Sequence, residues 1–112
     1  MYKIPRFSSD NEIGELEKAL LLIDVNTERL HTKINSIEEN MHSLREKAKE
    51  AVKEKRMEFA KFLLQKRKKT EKFLDHLSIM AFQLEEQKMG LLSAEANASV
   101  LETMKLANKA NK

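Results

Sequence analysis

Residues 13–51 read IGELEKALLLIDVNTERLHTKINSIEENMHSLREKAKEA. Within this stretch apolar residues recur every seven positions in two interleaved sets. One set is Ile13, Leu20, Thr27, Ile34, Met41 and Ala48, and the other is Leu16, Ile23, Leu30, Ile37, Leu44 and Ala51. Only Thr27 is polar. A 3–4 alternation of this kind puts one narrow apolar stripe along an α-helix, the pattern of a helix that packs on a partner helix. Ser8, Ser9 and Asp10 stand ahead of the repeat as N-cap residues, and Ser9 with Glu12 fits a capping box. A helix over about 10–51 would be about 63 Å long at about 1.5 Å per residue.

The same frame fails beyond Ala51, where it would place Lys55, Glu58, Phe62, Gln65 and Lys69. A stripe resumes in another phase with Phe59, Leu63, Phe73, Leu77, Met80, Leu84, Leu91, Ala94, Ala98 and Leu101, interrupted by Lys66, Thr70 and Gln87. A phase jump means a turn or a coiled-coil stutter. A turn at about 52–57 is the reading adopted, although no Gly or Pro marks it. The expected fold is all-α: a long antiparallel helical hairpin (helix 1 about 10–51, helix 2 about 58–90). A further helix over about 91–111 follows, either separate or continuous with helix 2. Residues 1–9 form an N-terminal segment. Gly90 marks the boundary between helix 2 and helix 3 and is a candidate hinge, because Gly weakens a helix interior.

The rest of the composition agrees. The 112 residues contain two Gly, one Pro, no Cys and no Trp, and 35% are charged. An average chain of this length would carry about eight Gly and about five or six Pro. Sandwiches, βαβ units and glycine-rich phosphate loops need more turn residues than this. Without Cys there is no disulfide and no thiolate metal site, which is compatible with a reducing compartment. There is no run of 18 apolar residues, so no segment is expected to span a membrane, and residues 1–7 lack the apolar core of a signal peptide. A soluble intracellular protein is the expectation.

Charge is concentrated in the middle. Residues 1–44 hold 5 basic and 8 acidic side chains, residues 45–72 hold 12 and 5, and residues 73–112 hold 4 and 5. Arg45, Lys47, Lys49, Lys53, Lys55 and Arg56 cluster toward the expected tip. Lys66, Arg67, Lys68 and Lys69 form a continuous run, and Lys61, Gln65, Lys68 and Lys72 share one helical face. Such an excess attracts polyanions, either an anionic membrane or nucleic acid. No aromatic residue interleaves with the basic run as a stacking platform for single strands.

Catalytic chemistry finds little support. Glu28/His31 and Glu39/His42 have the Glu-x-x-His spacing of di-iron bundles, but both histidines lie off the stripe. His76 has no acidic partner at helical spacing. There is no Cys nucleophile and no Ser in a nucleophile elbow. Asn97-Ala98-Ser99 is a formal glycosylation sequon inside an expected helix and is discounted. No enzyme, metal or cofactor is expected.

A two-helix hairpin leaves apolar side chains uncovered. Leu21, Leu22 and Val25 lie off the stripe of helix 1, and Leu74, Ala81, Phe82, Met89 and Leu92 lie off that of helix 2. Self-association is the favoured cover.

Two segments carry a resemblance. Residues 56–74, RMEFAKFLLQKRKKTEKFL, resemble the start of helix 2 in the ESCRT-III family, the charged multivesicular body proteins. Residues 92–112, LSAEANASVLETMKLANKANK, resemble its third helix, with an Ala/Asn-rich opening, a Val-Leu-x-x-Met-Lys core and a Lys-Ala-x-Lys end. With helix 1 the likeness covers most of residues 12–112. It implies a membrane-remodelling subunit that polymerises on anionic membranes, as a homo- or hetero-polymer with other ESCRT-III subunits. It implies that Arg45, Lys47, Lys49, Lys53, Lys55, Arg56, Lys61, Lys66, Arg67, Lys68, Lys69 and Lys72 face lipid. Leu74, Phe82, Met89, Leu92 and Leu101 would contact neighbouring subunits. It also implies a cytoplasmic protein, peripheral on endosomal or nuclear-envelope membranes, with nucleic acid as an unlikely partner.

The chain departs from the family's pattern in places. The tip lacks the family's common Gly. The amphipathic N-terminal helix is reduced to Tyr2, Ile4 and Phe7. The acidic C-terminal half is not among these residues, including the autoinhibitory helix and the motif read by the disassembling AAA ATPase. That fits either a portion of a longer chain or a core that follows another domain, as in the winged-helix-bearing member. The alternative to the family reading is a coiled-coil scaffold or nucleic-acid-associated helical protein without membrane activity.

Overall fold

A computed structural model describes residues 10–110, with side chains from Gly14 onward. The N-terminal segment with Tyr2, Ile4 and Phe7, the Ser9–Glu12 capping box and the Ile13 side chain lie outside the described residues. Two helices make up the rest, α1 (Asp10–Lys53) and α2 (Met57–Ala110), and no strand occurs among the described residues. Residues 91–110 are not a separate third helix. They continue α2 through Gly90, so of the two arrangements left open by the sequence the continuous one is adopted.

The turn between the helices is confined to residues 54–56. Lys55 has φ 60°, the left-handed conformation. The Arg56 N–H donates to the Ala51 carbonyl at 2.8 Å and the Lys55 N–H to the Val52 carbonyl at 3.0 Å. These are the two bonds of a Schellman motif, which satisfies the last carbonyls of α1. The motif usually has Gly at the left-handed position, but here a lysine occupies it. The Ala60 N–H then donates to the Arg56 carbonyl at 3.0 Å and starts α2. Lys53 in the last turn of α1 and Glu58 in the first turn of α2 both have the sign that the helix dipoles favour.

The chain divides into two compact units, Thr27–Phe82 and Met1–Asn26 with Gln83–Lys112. In the first, α1 and α2 fold back on each other from the turn as a helical hairpin. Its core holds one cluster of Ile37, Met41 and Leu77, flanked by Leu30, Ile34 and Leu74, and another of Leu44, Ala48 and Leu63. In the second unit Leu16, Ile23 and Leu91 are buried together, with Ala19, Leu20 and Leu84 packed around them. No large side chain among these is fully enclosed, as expected where each helix covers one stripe of the other.

The stripe of α1 follows the sequence: Leu16, Ile23, Ile37, Met41, Leu44, Ala48 and Ala51 are all buried. The stripe of α2 is rotated from the expected one. Leu63, Leu77 and Leu91 are buried, with Leu84 partly so, but their companions are Ala60, Arg67, Leu74, Ala81 and Lys88. Phe59, Phe73 and Met80, placed in the seam by sequence, are exposed. The reason is size. Distance between helix axes follows the side chains at the contact, and the seam beside the turn is lined by the small buried residues Ala48, Ala51 and Ala60. Phenylalanine rings have no room there and lie on the flank. The polar seam positions are handled individually. The Thr70 hydroxyl donates to the Lys66 carbonyl of its own helix at 2.9 Å. Thr27 Oγ1 and Arg67 Nε are buried without a hydrogen-bond partner.

Candidate functional site: the basic face of α2

The sequence of α2 places cations at 61, 66, 68, 69 and 72, and helical geometry decides which face they share. At about 100° per residue, Lys61, Gln65, Lys68 and Lys72 form a ridge on the side of α2 away from the seam. All are exposed. A shallow groove of about 270 Å³ runs among Gln65, Lys68, Lys69 and Lys72. Lys61 pairs with Glu58 at 3.7 Å and Lys49 with Glu46 at 3.4 Å. Lys66, Lys68, Lys69 and Lys72 form no ion pair among the described residues. Four neighbouring ammonium groups without carboxylate partners give a field that favours an external polyanion.

Arg45, Lys47, Lys53, Lys55 and Arg56 are also exposed on the end of α1 and the turn. Arg67 is different. It sits in the α2 seam, half-buried with its Nε covered, and so is withdrawn from the face to which the sequence assigned it. Its long aliphatic stem suits a seam position from which the guanidinium can reach outward.

The structure also shows a feature missed by the sequence reading. The Arg56 guanidinium lies over the Phe59 ring, 4.5 Å from its centroid, and the Phe59 and Phe62 centroids are 6.4 Å apart. The i, i+3 spacing of the two rings is a sequence signal for the pair, but the apolar stripe read from sequence places Phe59 in the core.

The residues assigned to subunit contacts separate. Leu74 is half-buried and packs against the Ile37–Met41–Leu77 cluster, so it belongs to the seam rather than a free surface. Ala81, also read as off-stripe, is buried. Phe82 is exposed in the first unit. Met89, Leu92 and Leu101 are exposed in the second, as are Leu21, Leu22 and Val25 of α1. An apolar groove of about 630 Å³ in that second unit is lined by Ala19, Leu22, Ile23, Gln87, Gly90, Leu91 and Ala94. Gly90 itself has open space around it: a Cβ there would meet nothing within 4 Å, so close packing does not explain the glycine. Lys88 crosses the seam of this unit and donates to Asp24 Oδ1 at 2.8 Å. That hydrogen bond and the charge of Asp24 hold the Lys88 pKa above its ordinary value. No group of three or more potential ligands that could hold a metal occurs among the described residues.

The Snf7 family model matches residues 18–112. The chain belongs to the Snf7 family. This family is the ESCRT-III domain, a structural scaffold of membrane remodelling. The Snf7 match covers both helices and the turn between them, together with the whole basic segment. No curated protein and no solved structure matches the chain. No described helix of this Snf7 protein is long and apolar enough to cross a membrane.

Proposed function

We propose that this Snf7 protein polymerises on anionic membranes, with the basic segment 45–72 toward lipid. The observation that carries the reading is the exposed set Lys66, Lys68, Lys69 and Lys72, which has no carboxylate partner among the described residues. Each cation near an anionic leaflet contributes about 1 kcal/mol, and repetition along a polymer multiplies the effect through effective concentration. The exposed apolar residues Phe82, Met89, Leu92 and Leu101 supply contacts between subunits of the homo- or hetero-polymer. Gly90 is the hinge position of α2, because glycine weakens a helix interior and no close packing requires it there. The compartment is the cytoplasmic face of endosomal or nuclear-envelope membranes; disassembly by a AAA ATPase belongs to a full-length protein, since the motif it reads is not among these residues.

The test is sedimentation with phosphatidylserine-containing vesicles at low salt, paired with electron microscopy. Charge reversal of Lys61, Lys66, Lys68 and Lys72 should abolish pelleting and lipid-dependent filaments. Unchanged pelleting would remove the electrostatic basis of the reading. A gel shift with duplex DNA run beside it separates a membrane partner from a nucleic-acid partner.

A further inference from the structure

The flank of α2 in the Thr27–Phe82 unit carries a second pattern beside the lysine ridge. Phe59, Phe62, Lys66, Lys69, Phe73, His76 and Met80 recur at alternating spacings of three and four. This strip is one position out of phase with the buried residues Ala60, Leu63, Leu74, Leu77 and Ala81. A shift of one position rotates a helix face by about 100°. The strip therefore lies between the seam and the ridge of Lys61, Lys68 and Lys72. Its apolar members are open to solvent: Phe59 is 37% exposed, Phe62 59%, Phe73 48% and Met80 39%.

We infer that this aromatic strip inserts into the headgroup region of an anionic leaflet, so that the protein is held by apolar contact as well as by charge. The inference rests on the membrane docking proposed above and adds the side chains that enter the lipid. Three features of the strip favour a leaflet. Aromatic rings bordered by lysines are the composition of helices that lie in the interface plane, with rings at headgroup level and long cationic side chains reaching to the surface. Arg56 stacked on Phe59 places a cation over an exposed ring at the turn end of the strip, where a phosphate can pair with the guanidinium while the ring stays stacked. Finally, Lys66 and Lys69 stand between Phe62 and Phe73 on this helix face, although no ring interrupts the run 66–69 in sequence. A second copy presenting the same strip would set like charges against each other, whereas anionic headgroups neutralise them.

The chain has no tryptophan, so Phe62→Trp introduces a single indole reporter toward the turn end of the strip. The full chain carrying this substitution is mixed with phosphatidylcholine vesicles, with and without phosphatidylserine, and with brominated acyl chains as quencher. We expect a blue-shifted emission and quenching on the phosphatidylserine vesicles. In the otherwise unaltered chain, Phe62→Ser with Phe73→Ser should weaken vesicle binding about tenfold, since burying a phenylalanine is worth at least about that factor. Helical circular dichroism of that variant should be unchanged, because both rings are exposed. Residual binding at high salt, where surface charge is screened, should be lost first.

Pelleting without quenching, and unaffected by the serine substitutions, would overturn the insertion and leave electrostatic docking standing. No pelleting at all would remove both. A blue shift that grows with protein concentration in the absence of vesicles would show that a second copy covers the strip, and would overturn the insertion as well.

Discussion

Lys88 Nζ donates to Asp24 Oδ1 at 2.8 Å, joining α2 to α1 beside the buried cluster of Leu16, Ile23 and Leu91. It is the one inter-helix ion pair among the described residues; the other two lie within single helices. A directional bond between two long helices specifies their axial register, which apolar contact alone specifies weakly. We expect Lys88→Glu to weaken the helix pairing of this unit and Asp24→Lys with Lys88→Glu to restore it. Hydrogen exchange of residues 16–26 and 84–94 measures both effects. Because Asp24 raises the Lys88 pKa, the pair stabilises the folded state at neutral pH and up to the ordinary lysine value of 10.5. That contribution is lost as pH rises through the raised value. Lys88→Met should abolish this alkaline component of the unfolding profile.

Lys55 occupies a left-handed position that glycine enters without strain. For an L-residue this conformation costs about 1–2 kcal/mol, partly offset by the entropy glycine loses on folding. Lys55→Gly is expected to stabilise the hairpin by about 0.5–1 kcal/mol. Lys55→Val should destabilise it, since a β-branched residue tolerates positive φ least. Urea unfolding followed by helical circular dichroism reads both changes.

Leu74 and Phe73 exchange the roles that their sequence positions had suggested. Leu74 packs on the core and Phe73 faces solvent. Leu74→Ala should therefore cost about 1–2 kcal/mol, less than a fully buried leucine. Phe73→Ala should fall within about 0.5 kcal/mol of the unaltered protein. Equal losses at the two positions would return the seam to the phase read from sequence.

Gly90 lies inside a continuous helix with room for a methyl group. Gly90→Ala should raise helix stability by up to about 1 kcal/mol. If the glycine serves as the hinge of a subunit that rearranges on assembly, the same change should slow filament growth on vesicles. Thermal melting and light scattering measure the two effects separately.

Much of the candidate site was legible in the sequence, because charge and periodicity are local. Twelve cations against five carboxylates in residues 45–72 need no tertiary knowledge to be counted. Residues 56–74 and 92–112 carried the likeness to the family that residues 18–112 now show. The turn was placed at 52–57 from a phase jump and lies at 54–56. The left-handed Lys55 within it has no sequence signal, because nothing marks a non-glycine Schellman motif in advance.

The sequence by itself determined that the chain is helical, where the stripe of α1 runs and where the positive charge gathers. A long strict heptad with so few chain breakers has no competing structure of comparable burial. Tertiary structure alone decided which side of α2 meets α1. Its sequence offers two apolar stripes one position apart, and both satisfy the helical period. The stripe that meets α1 carries Ala60, Leu74 and Ala81 where the other carries Phe59, Phe73 and Met80, and those three bulkier side chains face outward. Within the Thr27–Phe82 unit the same choice draws Arg67 and Leu74 into the seam. The physical reason is that side-chain size at the helix contact sets how closely two helices pack, a property of the pair that the periodicity of one helix does not contain.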